Sequence, residues 1–389
     1  MSRLRRSARL GDVASFVRGV TFKPEDIVPA GTPGAVWCMR TKNVQPRIDL
    51  SDVWAIGSQF VRRSDQYLQP GDILVSSANS WNLVGKCCWV PELGSPSTFG
   101  GFISVLRADR GMIDPRYLYH WFASKPTQAK VRSFGRQTTN ISNLDFSRCR
   151  DMAVPLPPME IQRRIAEALD QVDALRVKRQ DAIALLDDLT RSIFFDMFGT
   201  ADRNRGGFEV QQLGDLVRLK SGSFLPASSM SQTGQYPVYG GNGITGWHGE
   251  FNSPGRQVVI GRVGAYCGCI HSAAAKSWIT DNALYVSETS EKLAFTYLLH
   301  ALKLADLNQY ASQSAQPLIS GSRIYPVRII VPPVALQEEF EGRVSQIAGL
   351  AQQHERHRLG LDVLYASLEH QAFRGELFGG DSPAVLTSR

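Results

Sequence analysis

Two histidines in matched settings are the first candidates for acid–base chemistry: His120 in Tyr117-Leu118-Tyr119-His120 and His300 in Tyr297-Leu298-Leu299-His300. Each falls within an apolar helical stretch, beside Tyr117 and Trp121 or beside Leu299, so a core role outweighs a catalytic one. The six cysteines, Cys38, Cys87, Cys88, Cys149, Cys267 and Cys269, form no paired C-x2-C sets with zinc spacing and read as reduced thiols. Tyr266, beside Cys267 and Cys269, reads as strand packing rather than part of a redox centre. The sequence has no G-x-x-x-x-G-K-[ST] phosphate loop, no H-E-x-x-H, no G-x-S-x-G and no carboxylate cluster with a nearby lysine. It also lacks the Asn-Pro-Pro-aromatic motif of amino-methyltransferases. An enzyme reading therefore has little to stand on, and the polar, glycine-punctuated segments 76–82, 136–140, 239–243 and 310–314 read as exposed loops.

An internal duplication organises these segments. Leu10-Gly11-Asp12-Val13 recurs as Leu213-Gly214-Asp215-Leu216, Pro70-Gly71 as Pro254-Gly255, and Val84-Gly85 as Val263-Gly264. The two Tyr-Leu-x-His segments answer each other. Pro157-Pro158 answers Pro332-Pro333, each followed four residues after its second proline by Gln162 or Gln337. The offsets fall from 203 to 175, so the second copy is shorter by 28 residues, chiefly in the part matching 12–70. Each copy begins with short strands, expected at 72–76, 87–90, 258–260 and 283–286, plus one helix near 115–124 or 293–303. The expected fold class is α+β: two homologous α/β domains separated by a pair of long antiparallel coiled-coil helices with pseudo-twofold symmetry.

Those helices follow the double prolines, over 159–198 and from 334 to about 377, with proline where a helix start tolerates it. In the first, Ile165, Val172, Leu186 and Ile193 fall seven apart, with Ala168, Leu175, Ala182 and Leu189 between them. In the second, Phe340, Ile347, Leu361 and Leu368 do the same, accompanied by Val344, Ala351 and Tyr365. One polar residue interrupts each seam, Arg179 and His354, again 175 apart. Antiparallel, in-register pairing would bring these two together in a polar layer. The expected segments are therefore 1–157, 158–200, 201–332 and 333–378, with a flexible tail at 379–389.

Charge follows the same division. The chain has 389 residues and a net charge of +7. Residues 1–157 hold 21 basic against 12 acidic side chains, and 199–332 hold 11 against 8. The helical segments are reversed, with 6 against 8 in 158–198 and 5 against 8 in 333–389. The domains thus suit a polyanion, and the helices leave outer faces for protein partners. No apolar run of about eighteen residues and no signal-peptide core is present, which points to the cytoplasm and away from a membrane partner.

The doubled arrangement resembles type I restriction-modification specificity subunits. The residues carrying it are Leu10 to Asp12, Pro157 to Gln162, Leu213 to Asp215 and Pro332 to Gln337. The resemblance implies a non-catalytic subunit whose two target-recognition domains each read half of a split DNA sequence, with the helices as a ruler. It further implies seats for two modification subunits, which bring S-adenosylmethionine and methylate adenine, and restriction subunits as further companions. This chain would hold no cofactor and no metal of its own.

If duplex DNA is the ligand, base readout needs Arg, Lys, Asn or Gln on loops that reach a groove. In the first domain the candidates are Arg40, Lys42, Asn43, Asn79, Trp81, Asn82, Lys86, Arg132, Arg136, Gln137 and Asn140. In the second they are Lys220, Tyr239, Asn242, Arg262, Tyr310, Gln313, Gln316 and Arg323. The competing reading is a duplicated adaptor that binds protein, whose affinity for DNA would be feeble and indifferent to salt.

Overall fold

The computed structural model describes residues 6–137, 141–204, 206–313 and 316–378. Internal contacts divide the chain into two units: Met1–Lys178 with Arg358–Arg389, and Arg179–His357. Both boundaries fall inside long helices, whose halves are therefore counted with the domain beside each. The reason is packing: each helix half contributes side chains to the core of its own unit. The tail expected at 379–389, like Asn140, lies outside the described residues.

In the first unit β1 (Ser7–Arg9) and β13 (Ala153–Pro155) pair antiparallel. A four-stranded sheet has the order β2 (Ala14–Arg18), β10 (Ile103–Ala108), β6 (Ile73–Ser76), β8 (Cys87–Trp89). A second sheet joins β3 (Ile27–Val28), β5 (Trp54–Gly57), β4 (Ala35–Met39) and β9 (Ser97–Phe99). A third, small one has the order β11 (Gly135–Gln137), β12 (Ser142–Leu144), β7 (Ala78–Asn79). Helices α1 (Pro115–Ala123), α2 (Lys125–Ser133) and the first half of α3 (Met159–Phe198) pack beside them. Asp114 caps α1 by accepting from the Arg116 and Tyr117 N–H groups, and Pro115 occupies a position where its missing donor costs nothing.

The second unit repeats this plan. Strands β14 (Glu209–Gln212) and β22 (Arg328–Val331) pair antiparallel. The four-stranded sheet has the order β15 (Val217–Ser221), β21 (Ala283–Thr289), β18 (Gln257–Gly261), β19 (Ile270–Ala273). The second sheet shrinks to three strands, β17 (Gly243–His248), β16 (Tyr236–Gly240), β20 (Trp278–Ile279). Strand β4 pairs parallel with β9 and β16 parallel with β20, so the strand of this sheet without a counterpart among the described residues is β3, inside the stretch where the second copy is shorter. Helix α4 (Phe295–Leu304) answers α1, and α5 (Val334–Phe373) follows β22.

The repeated motifs have physical explanations. Leu-Gly-Asp opens a one-turn helix that buries Leu10 and Val13, or Leu213 and Leu216. Its glycine lies against the next one-turn helix of the same unit. An added Cβ would stand 3.0 Å from Arg150 Cβ in one copy and 2.8 Å from Tyr325 Cβ in the other. The glutamine after the double proline is buried in both units. Gln162 Oε1 accepts from the Asp114 N–H at 2.8 Å while its Nε2 donates to Pro157 O at 2.8 Å. Gln337 accepts from the Ala294 N–H and donates to Pro332 O and Lys292 O, each at 2.8 Å. Each glutamine therefore ties the start of a long helix to the start of a domain helix. Tyr117 and Tyr297 donate their hydroxyls to Pro155 O and Ile330 O, tying the same domain helices to the last strand.

Within each unit the long helices run antiparallel. Ile165, Ala166, Leu169 and Ala372 share a core with Tyr117 and Leu118, while Phe194, Phe198 and Phe340 share one with Tyr297. The seven-residue ladder of Ile165, Val172, Arg179, Leu186 and Ile193 faces inward, buried or half-buried, as does that of Phe340, Ile347, His354, Leu361 and Leu368. The companion row in α3 differs from the expectation. Leu175 and Leu189 are exposed, and the inward companions stand one residue later, at Leu169, Arg176, Ile183, Thr190 and Met197. In α5 the expected companions Val344, Ala351 and Tyr365 do face inward. Apolar identity misled in α3 because a polar pair, Arg176 and Thr190, occupies the seam and leaves leucines outside. Arg176 is held there by Asp362 at 2.6 Å and Asp173 at 3.1 Å, with Tyr365 under its guanidinium.

Candidate nucleic-acid interface

In each unit the same end of the four-stranded sheet gathers loops. In the first they are 19–22 after β2, 77–86 between β6 and β8, and 100–102 before β10. In the second they are 222–226, 262–269 and 280–282. Identical hydrogen bonds fix the correspondence. Ser77 N–H donates to Phe102 O and Leu144 N–H to Ser77 O; Arg262 N–H donates to Asn282 O and Ile319 N–H to Arg262 O. Large apolar side chains that a stable monomer would bury are displayed here instead. Phe102 is 64% exposed and Phe224 is 72% exposed, accompanied by Trp81, Leu83, Tyr266 and Leu318. The placement of Tyr266 overturns the strand-packing expectation: it lies on a turn, half exposed.

The sequence candidates divide under this geometry. Trp81 and Asn82 stand exposed on the 77–86 loop; Lys86, half-buried, reaches Gln45 Oε1 at 2.7 Å. Asn79 is consumed locally, donating to Ser76 Oγ and accepting from the Ser80 N–H. Arg136 is exposed and paired with Asp145 at 2.6 Å; with Arg18 and Arg150 it lines a cleft of 450 Å³. Hydrogen bonds from the Arg148 and Ser147 N–H groups, together with Arg136, hold the Asp145 carboxyl below the usual range. Arg132 is half-buried, and of Gln137 only the strand position in β11 is described. In the second unit Lys220, Asn242, Gln313, Gln316 and Arg323 are exposed. Arg262 Nη1 donates to Ser221 Oγ at 3.0 Å, pinning its guanidinium at the loop cluster. Tyr310, Gln313 and Arg323 converge on a cleft of 530 Å³.

Four candidates lie elsewhere, because polar residue type says nothing about where a loop turns. Asn43 is fully buried: its Oδ1 accepts from the Arg40 N–H at 2.7 Å and its Nδ2 donates to Asp49 O and Asp52 O. Tyr239 is buried in the core under β16, its hydroxyl accepting from the Ala274 N–H. Arg40 stacks on Trp54 at 4.0 Å and pairs with Asp52, which also takes Lys42 at 2.6 Å, so this group is a local ion cluster. Residues missed include Arg148, which occupies the place of Arg323 on the corresponding one-turn helix, and the apolar Phe102 and Phe224. The 175 offset would have found Arg148; nothing in sequence marks an exposed phenylalanine.

The matched histidines serve packing, in different ways. His120 is buried, its Nε2 2.7 Å from Asp170 and its Nδ1 2.9 Å from the Tyr365 hydroxyl. Burial raises the Asp170 pKa, but the His120 hydrogen bond and the Arg116 charge more than offset it, leaving it low. His300 packs edge-on to Phe340 and lines a 660 Å³ cavity of the second unit with Thr190, Lys303 and Ile347. Burial, with the nearby Lys303 charge, lowers its pKa to about 4. Among the described residues no group of three or more His, Cys, Asp or Glu is placed to hold a metal ion.

This geometry defines a class: tandem recognition proteins in which one α/β domain occurs twice, each copy seated on half of a helix pair. Residues 6–185 and 206–349 match the family model of the type I restriction modification DNA specificity domain, and the chain belongs to that family. It is 24% identical over 241 residues to the type I restriction enzyme EcoprrI specificity subunit of Escherichia coli, covering 58% of each chain. It is 23% identical over 427 residues to the EcoKI specificity subunit of Escherichia coli strain K12, covering 95% of this chain and 88% of that one. The crystal structure of a type I restriction-modification system S subunit from M. genitalium shares the fold, with a TM-score of 0.59 at 17% identity over 95% of this chain and 96% of that one. A second solved chain, from work on complex assembly and conformational transition of the type I R-M system, gives 0.51 at 19% identity over 96% and 98%.

Proposed function

We propose that this chain is the non-catalytic specificity subunit of a type I restriction-modification enzyme, each unit reading one half of a bipartite duplex sequence. The observation that carries the reading is the repetition, at the same sheet end of both units, of loops bearing cations, amides and displayed aromatic rings. Phosphate contacts from such loops supply affinity, and base-edge contacts supply sequence. The helices, each about 60 Å long at 1.5 Å per residue, would set the gap between half-sites, which lie about 34 Å apart for one turn of B-DNA.

Catalysis then belongs to partners. Two modification subunits would bring S-adenosylmethionine and methylate adenine, and restriction subunits would complete the system. The helices offer two equivalent seats. Leu175 and Leu350 are exposed and 175 apart, as are Leu189 and Leu364, and all four stand three residues after a seam residue. Exposed leucines at matched places are the expected mark of matched protein contacts. No helix among the described residues is long and apolar enough to cross a membrane, and the proposed site of action is the cytoplasm.

The test is to express the chain with its modification partner and map methylated adenines across the host genome. A single bipartite motif with a fixed gap is expected. Binding of the isolated chain to duplex DNA should fall with salt at a log–log slope of about −0.9 per phosphate contacted. Binding that is feeble and indifferent to salt would favour the protein-binding adaptor instead.

A further inference from the structure

The connections that follow β6 and β18 close on an equivalent glycine, although the first is two residues longer. In the first, Leu83 N–H donates to Ser80 O at 2.9 Å and Gly85 N–H returns to Ser76 O at 2.8 Å. In the second, Cys267 N–H donates to Gly264 O at 3.0 Å and Gly268 N–H returns to Gly261 O at 2.8 Å. Gly85 and Gly268 both have left-handed backbone, with φ of 82° and 88°. A side chain at either would collide, 2.6 Å from Val131 Cγ1 or 2.5 Å from Asn308 N. The turn is therefore built, and Gly85 corresponds to Gly268. The likeness of Val84-Gly85 to Val263-Gly264 is coincidental.

Each connection carries one aromatic residue: Trp81, 42% exposed and four residues before Gly85, and Tyr266, 50% exposed and two residues before Gly268, where the first connection has Leu83. Gly135 lies beside the Trp81 ring: a Cβ placed on it would meet Trp81 Cζ3 at 3.4 Å. An aromatic side chain has only two rotatable bonds, so fixing it on contact costs little conformational entropy. Its surroundings carry charge suited to a polyanion: Lys86 follows within the first loop, and Arg262 opens the second. The first domain as a whole holds 21 basic against 12 acidic residues.

We propose that Trp81 and Tyr266 are base-contacting residues, one per half-site, that read by ring contact with base edges in the major groove, the methyl group of thymine being the apolar feature offered there. The inference rests on the DNA-reading function proposed above. A wedge that unstacks a base step in the minor groove is the alternative, and the test separates them.

The experiment uses the full chain in complex with its modification partner and fluorescent duplexes carrying the mapped motif. One duplex has the native motif, one a scrambled first half, one a scrambled second half, and two carry uracil for thymine in one half. For Trp81→Ala, affinity for the native duplex should fall about tenfold to a hundredfold. Discrimination against one scrambled half should shrink to less than threefold while the other stays as in the parent. Tyr266→Ala should do the same for the opposite half. Uracil in the affected half should weaken the parent about tenfold and leave that half's alanine variant unchanged. Trp81→Phe and Tyr266→Phe, which keep a ring, should retain most of the affinity. Salt slopes on random duplex should match the parent in every variant.

Equal losses in both halves, or unaltered discrimination, would overturn the proposal while leaving the DNA-reading function intact. An effect on one half without sensitivity to uracil overturns the major-groove contact and identifies the wedge. If the parent complex itself fails to distinguish native from scrambled duplex, the function is what fails.

Discussion

The guanidinium Nη1 of Arg179 lies 3.2 Å from His354 Nδ1, joining two polar seam residues that stand 175 positions apart in the chain. A polar layer in an apolar seam costs stability and fixes register, because every slipped alignment would leave these groups against aliphatic neighbours. Replacing both with leucine should therefore raise the melting temperature of the second unit, by an amount equivalent to about 1 to 2 kcal/mol. Either single leucine variant should be less stable than the double. Calorimetry of the four proteins checks this; a double variant less stable than the parent would show the pair to be a net stabiliser instead.

Buried Gln162 and Gln337 each satisfy a domain-helix N–H and a proline carbonyl. Methionine at either position fills similar volume but leaves those groups unsatisfied in the interior. The expected cost is about 2 to 4 kcal/mol for each variant, since at least two buried partners lose their bonds. Denaturant unfolding measures it, and hydrogen exchange should locate the Gln162→Met loosening at the Asp114 N–H. A loss under 1 kcal/mol would mean that water replaces the amide.

How much of this was legible in sequence varies by feature. The duplication and both helices were, because proline pairs, Leu-Gly-Asp and seven-residue spacing are imposed by local geometry that any copy must repeat. The α3 companion row was not, since an arginine neutralised by Asp173 and Asp362 can occupy a seam that periodicity assigns to leucine. Nor was the fate of Asn43: a buried amide knitting residues 40 to 52 and an exposed amide reading a base have the same letter. The His120 network joins Asp170 and Tyr365, 50 and 245 residues away, and only the paired helices bring them together.

Acid should destabilise the second unit through His300. Its folded-state pKa, near 4, lies below the ordinary value of 6.5, so the unfolded chain takes up the proton more readily. The neutral form's advantage is complete above about pH 6.5 and is lost progressively as pH falls toward 4. With partial exposure screening it, the loss should be on the order of 1 to 2 kcal/mol. His300→Gln should flatten that part of the stability profile relative to the parent, with the difference between the two curves confined to pH 4 to 6.5. A difference curve that is flat across this interval would refute the assignment.

Arg136 and Arg323 line clefts beside corresponding one-turn helices, and their planar, permanently charged groups suit phosphate oxygens. Each alanine variant should weaken binding to all duplexes alike and lower the salt slope by about one. Arg136 must first leave Asp145, so its effect should be the smaller. Fluorescence anisotropy against salt decides the matter: a variant that keeps the slope but alters discrimination would make that arginine a base reader.

The exposed leucines of α3 and α5 carry the last expectation. Leu175 belongs to the first unit and Leu350 to the second, at equivalent places on the two helices, so each should serve a different modification subunit. A glutamate introduced on an apolar contact must be desolvated without a partner, which costs several kcal/mol and is enough to abolish a micromolar association. Leu175→Glu and Leu350→Glu should each reduce the complex from two modification subunits to one, and the double variant should bind none, while duplex binding by the chain itself is unchanged. Native mass spectrometry counts the subunits directly. If both single variants keep two, the seats lie on other helix faces; if each single variant loses both, the subunits assemble on the helices only as a pair.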